Sequence, residues 1–216
     1  MRKGFDDELK KLQSEMLKMA SMVEEAIYKS VEALKKQDLD LATEVLEEDD
    51  QIDDYEIELE DMCTKLIALQ QPVASDLRTI IVISKIATDL ERIGDHACNI
   101  SQMVHQIGKK PLIKPLIDIP RMTEIVTRRL RESLDSFVNL DVELAKKIAK
   151  EDEEVDILDE QILRELLTFM LEDPSTIRQA TSLMFISRFL ERIGDHSTNV
   201  CERVIYMATG ERDVYY

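Results

Sequence analysis

The residues of this chain best placed to do chemistry are oxygen donors arranged in columns. Residues 90 to 96 read Leu-Glu-Arg-Ile-Gly-Asp-His, residues 190 to 196 repeat the same seven, and an asparagine follows three positions later each time, as Asn99 and Asn199. Glu91, Asp95 and Asn99 are spaced four apart, as are Glu191, Asp195 and Asn199, so on a helix each trio stacks on one face. Stacked carboxylates repel each other by at least a few tenths of a kcal/mol, and that cost calls for a cation, an ammonium or a guanidinium.

A second set of acids lies upstream of each motif. Asp49, Asp53, Glu56 and Glu60 share a narrow helical stripe, and Asp152, Asp156 and Asp159 answer the first three at an offset of 103. At about 100° per residue, this stripe lies roughly 110° from the apolar line of Ile52, Leu59 and Leu66, and the Glu91 column roughly 150° from that of Ile86, Leu90, Ile93, Ala97 and Val104. Both columns are expected to face outward and, where their helices are neighbours, to flank one surface groove. Arg92 and Arg192 point about 100° away from the preceding glutamates and are expected to pair with other acids. His96 and His196 also point away, as surface or packing histidines. A glycine inside a helix costs up to ~1 kcal/mol relative to alanine, so Gly94 and Gly194 imply close approach of another backbone or a ligand.

Oxygen-only donor sets suit Mg, Mn, Ca or iron. A redox di-iron centre needs Glu-x-x-His pairs projecting into a bundle core, whereas Glu91 and His96 are five apart on an outward column. Two competing readings stand beside the metal: a solvated acidic face in a chain that is 34% charged, making a structural helical protein, and a metal-dependent phosphohydrolase. Against the hydrolase, the sequence offers no nucleophile paired with an oriented base and no glycine-rich phosphate loop.

The elements that must position these residues are helices. With Gly 5, Pro 5 and no Trp in 216 residues, breakers are scarce and the apolar spacing is helical nearly throughout, which makes an all-α chain. Apolar residues from Leu9 to Leu34 predict a first helix over 5–36, with Met16, Met19 and Met22 as core filler. Asp38 and Asp40 mark the N-cap region of a second helix, which Gln71-Pro72 stops. A third runs from about Pro72 to a C-cap at Gly108, and Pro111, Pro115 and Pro120 mark a linker. The second half replays the first: Met122 to Phe137 follow Met19 to Leu34 at an offset of 103, and the offset falls to 100 by Arg178. Six helices in two tandem antiparallel three-helix bundles, 1–110 and 111–216, are the economical arrangement.

The formal net charge, 28 − 45 = −17, argues against nucleic acid and against direct attraction to anionic lipid. Cys63, Cys98 and Cys201 form no C-x-x-C pair and read as reduced thiols of a cytosolic protein. No run approaches the ~20 apolar residues of a membrane span, and the charged start carries no secretory segment.

Taken together, the doubled Leu-Glu-Arg-Ile-Gly-Asp-His motif, the Asp49/Asp53 and Asp152/Asp156 pairs, and the string Gln-Pro-Val-Ala-Ser-Asp-Leu-Arg over 71–78 resemble the PhoU family of phosphate-uptake regulators. The resemblance implies two three-helix bundles whose E(D)-x-x-x-D motifs carry surface metal ions, iron or zinc among them. Carried onto this sequence, it implies one site at Asp49, Asp53, Glu91 and Asp95 and another at Asp152, Asp156, Glu191 and Asp195, with Glu56, Asn99, Asp159 and Asn199 as additional donors. It further implies a cytoplasmic negative regulator, with the ATPase subunit of a phosphate ABC transporter and a sensor histidine kinase as partners, and so peripheral to the membrane only through them. Long exposed helices add the expectation of a homodimer. The two copies depart from each other at Phe189, where the first has Asp89, and at Asp173-Pro174, where the full string is missing.

Overall fold

A computed structural model describes residues 2–150 and 153–210, with the backbone alone at 2, 3 and 153. Asp152, one of the expected ligands, lies outside the described residues.

The expected periodicities become helices: α1 (Arg2–Lys36), α2 (Leu39–Gln70), α3 (Ala74–Ile107), α4 (Asp118–Asn139), α5 (Val142–Lys150), α6 (Glu153–Glu172) and α7 (Ile177–Thr209). The second helix of the second half is thus described as two stretches, α5 and α6. On α1 the ladder Leu12, Met16, Met19, Val23, Ile27, Val31 and Leu34 is buried, so the methionines are core. Asp38 ends the α1–α2 turn by accepting from the N–H groups of Asp40 and Leu41, both at 3.1 Å. Asp141 repeats the device, accepting from the N–H of Leu144 at 2.9 Å. These caps satisfy backbone donors that a helix start leaves without partners. Gly108 closes α3 with φ 65°.

One boundary differs from expectation. Pro120 is not linker but sits in the first turn of α4, where its missing N–H costs nothing and its fixed φ already suits a helix. The linker is pinned at both ends. Gln37 donates to the carbonyls of Gly108 (2.9 Å) and Lys110 (2.6 Å), and the N–H of Ile113 donates to Gln179 on α7 (2.6 Å).

Helices α1 to α3 form one antiparallel bundle, and α4 to α7 form the other. The bundles meet along the motif helices α3 and α7, which pack on each other more extensively than any other pair. Asp89 lies against His196 and Arg203 while His96 lies against Phe189, so α3 and α7 run antiparallel there. One continuous apolar core crosses this contact. Among the described residues no strand occurs, and no helix is long and apolar enough to cross a membrane.

Candidate metal centre

In the first bundle the two acidic columns meet in the seam between α2 and α3. Gly94 sets the spacing: a Cβ there would lie 3.2 Å from both methyl carbons of Ile52 and 3.7 Å from Asp49 Oδ1. The close neighbour is therefore a side chain, not the backbone or ligand expected. The columns also differ from the outward-facing ladders predicted. Asp49 Oδ1, Asp53 Oδ1 and Glu91 Oε2 are buried and accept no hydrogen bond from the protein. The Glu91 side chain is only 14% exposed, and Asp95 is 38% exposed. Ideal helical angles placed the acids away from the core, but two helices packed as closely as Gly94 allows cover each other's flanks.

The electrostatics follow from this burial. Removal from water, then the charge of Asp95, pushes the Glu91 carboxyl up to about 7; Arg92 opposes, and Glu56 and Asp53 add to the rise. Asp49 is raised by burial, with the neighbouring Cys98 thiol opposing and Asp53 and Asp95 adding to it. Asp53 is raised by burial, then by Asp95, Asp50 and Glu56. Glu56 thus belongs to the cluster, whereas Asn99 is half-buried one turn beyond Asp95. Arg92 pairs with another acid, Asp95, as helical angles suggested, but it also reaches Glu91. Its flexible stem curls back, giving 3.0 Å to Asp95 and 3.3 Å to Glu91, the latter out of line for a hydrogen bond. Among the described residues, no three of His, Cys, Asp or Glu converge closely enough to hold a metal ion as they stand.

The second bundle repeats the seam with different partners. Burial, then Asp195, pushes Glu191 up to about 7; Arg188 opposes, and Asp156 and Asp159 add to the rise. Glu191 Oε2 is again buried without a hydrogen bond. Arg188 bridges Glu191 (2.8 Å) and Asp159 (3.6 Å), and Ser187 donates to Asp159 at 2.6 Å. Asp156 and Asp195 are exposed. At Gly194 the nearest atoms stand 3.7 Å from an added Cβ, so the tight approach exists only in the first copy. Arg188 carried no signal in the sequence, because its counterpart at an offset of 100 is Thr88.

Two expected motif residues serve the bundle contact instead. Asn199 donates its amide N–H to Asp89 (3.4 Å), and His196 Nδ1 stands 3.1 Å from the same carboxylate. Arg203 completes the set with a short ion pair to Asp89. Burial of Asp89 pushes its carboxyl up, but the bonds and charges of His196 and Arg203 outweigh it and hold the group below its ordinary value. His96 stacks on Phe189 with centroids 5.9 Å apart.

Tandem three-helix bundles carrying a repeated acidic motif in each seam define an all-α duplicated bundle protein. A family model described as "PhoU domain" matches residues 16–104 and 119–204. A phosphate-specific transport system accessory protein PhoU homolog from Clostridium acetobutylicum is 43% identical over 98% of this chain and 97% of its own. The crystal structure of PhoU from Pseudomonas aeruginosa superposes with a TM-score of 0.91 at 38% identity, covering 96% of this chain and 100% of that one. The phosphate transport system regulatory protein PhoU from Streptococcus pneumoniae gives 0.90 at 31% identity, over 97% and 99%. The chain belongs to the PhoU family.

Proposed function

We propose that this chain regulates phosphate transport by contact with other proteins, and that the α2–α3 seam of its first bundle is a cation socket. One observation carries the socket: Asp49 Oδ1, Asp53 Oδ1 and Glu91 Oε2, on α2 and α3 of one bundle, are each buried without a donor. Each such oxygen costs on the order of 1–3 kcal/mol unless something satisfies it. An all-oxygen donor set of this kind suits Mg, Mn, Ca or iron, and kinship favours iron or zinc. A bound cation would supply positive charge to a surface whose bare carboxylates repel phosphate and acidic or phosphorylated partners. Asp49, Asp53, Glu91 and Asp95 would hold it, with Glu56 alongside; Arg92, on the exposed rim, would be displaced from Asp95.

The contact with other proteins is supported by an asymmetry between the halves. Leu163, Leu167 and Leu171 form an exposed apolar ladder on α6, where the residues 103 earlier are Glu60, Thr64 and Ala68. Half-exposed Phe185 borders it in a groove of ≈ 290 Å³ between α6 and α7, and its counterpart is Lys85. Contiguous exposed apolar surface of this kind marks a docking face. In this reading the chain is cytoplasmic and a homodimer, and its partners are the ATPase subunit of a phosphate ABC transporter and a sensor histidine kinase. The test is elemental analysis of the purified protein and of Glu91→Ala/Asp95→Ala, together with pull-downs from source-cell membranes with and without chelator. Loss of metal in the variant, and chelator-sensitive recovery of the transporter ATPase, are expected. Unchanged metal content in the variant refutes the socket.

A further inference from the structure

We infer that the two columns are not equivalent: the second carries a built-in guanidinium, Arg129, that closes it to metal, while the first is open to one. This rests on the socket reading of the first column. Arg129, on α4, is 2% exposed and the largest of the fully buried side chains. Its Nη2 donates to Thr198 Oγ1 at 2.9 Å, and its Nη1 lies 3.8 Å from where a Cβ on Gly194 would stand. At about 100° per residue, Thr198 falls about 20° around α7 from Glu191, and Gly194 about 60° on the same side. The guanidinium therefore enters the column from its inner wall. Arg188 holds Glu191 from the outer side at 2.8 Å.

The duplication supplies the control. The residue 103 before Arg129 is Ala26, and the residue 100 before Thr198 is Cys98. In the first bundle the inner wall is thus a buried methyl and a buried thiol, and the thiol donates to the Val45 carbonyl at 3.6 Å. Burial pushes that thiol far up, so it is uncharged. An arginine, by contrast, keeps its charge wherever it is placed. Held against the inner wall of the column, that fixed positive charge repels a metal ion approaching Glu191 and its neighbours. The first seam offers its acids only the exposed Arg92, which water screens and a metal ion can displace.

The experiment adds zinc(II) to metal-stripped full-length protein, removes the excess by gel filtration and counts bound zinc by elemental analysis. Glu91→Ala/Asp95→Ala loses at least nine-tenths of the bound zinc, and Glu191→Ala/Asp195→Ala keeps it. In the Glu91→Ala/Asp95→Ala background, Arg129→Met restores zinc binding and Arg129→Lys, which keeps the charge, does not. Equal zinc loss from the two column variants overturns the inference and leaves the socket reading standing, as does zinc gained equally with Met and Lys. Zinc held by none of the proteins overturns both. Circular dichroism checks that Arg129→Met folds; should it not, the two column variants decide the matter alone.

Discussion

Glu91 and Glu191 keep protons to about pH 7, against 4.5 for an ordinary glutamate, so the metal-stripped protein is most sensitive to pH in that interval. Within it the folded chain holds protons that the unfolded chain has released, and stability falls as pH rises. Burial and then the charge of His196 hold His96 down to about 4, so it acts in the opposite sense: stability is lost as pH falls from 6.5 toward 4. Two glutamates, with Asp49 and Asp53 shifted the same way, outweigh one imidazole. Metal-stripped protein therefore melts about 5 °C or more higher at pH 5.5 than at pH 8, and Glu91→Gln/Glu191→Gln narrows the gap. A flat profile in a thermal scan contradicts this. The two motif glycines give a second residue-scale test. Gly94→Ala drives a methyl against core Ile52 and costs about 1–3 kcal/mol. Gly194→Ala meets only ordinary contacts and gains up to ~1 kcal/mol of helix propensity. Urea midpoints moving the same way for both variants would contradict that account.

Among the elements, the two α-α corners share one design and differ in what offsets its strain. Each places a left-handed residue before an aspartate cap: Gln37 (φ 51°) before Asp38, and Leu140 (φ 53°) before Asp141. Gln37 is tied to the linker by its amide, whereas Leu140 is exposed and β-carbon strain is all it contributes there. Leu140→Gly is expected to raise stability by about 0.5–1 kcal/mol. Removing the cap with Asp38→Ala is expected to lower it by about 1 kcal/mol. Both are read from urea denaturation, and a stabilising Asp38→Ala would show that the cap does not hold α2. The caps were legible in the sequence, because an aspartate at a helix start acts on neighbours two or three residues away. The strain at Leu140 was not, since a leucine gives no sign of a positive φ.

At the scale of the whole molecule, the bundles are joined by a charge set inside an apolar contact. Asp89, 3% exposed, takes His196, Asn199 and Arg203 as partners from α7. Taking away one member of a buried pair leaves the other uncompensated, so Asp89→Ala is expected to cost about 3 kcal/mol. Arg203→Ala should cost less, and the double variant less than the sum of the two. Strict additivity in a double-mutant cycle would mean the two groups do not act on each other. The pseudo-symmetric position, Phe189 against His96, does the same joining with aromatic surface. One half of the contact is thus ionic and the other stacked.

What the sequence determined by itself was whatever repeats over short range: the duplication, the helical periodicities, the capped corners and the gathering of Glu91, Asp95 and their counterparts along one helix. These follow from 3.6 residues per turn and from neighbours within one or two turns. Only the tertiary structure decided how deep the columns lie, that Ile52 is what Gly94 admits, that Asp89 anchors the second bundle, and that Arg129 is buried against Thr198. Each of those depends on which faces of separate helices meet. No spacing along the chain encodes the contact of residue 89 with residue 203, or of residue 129 with residue 198.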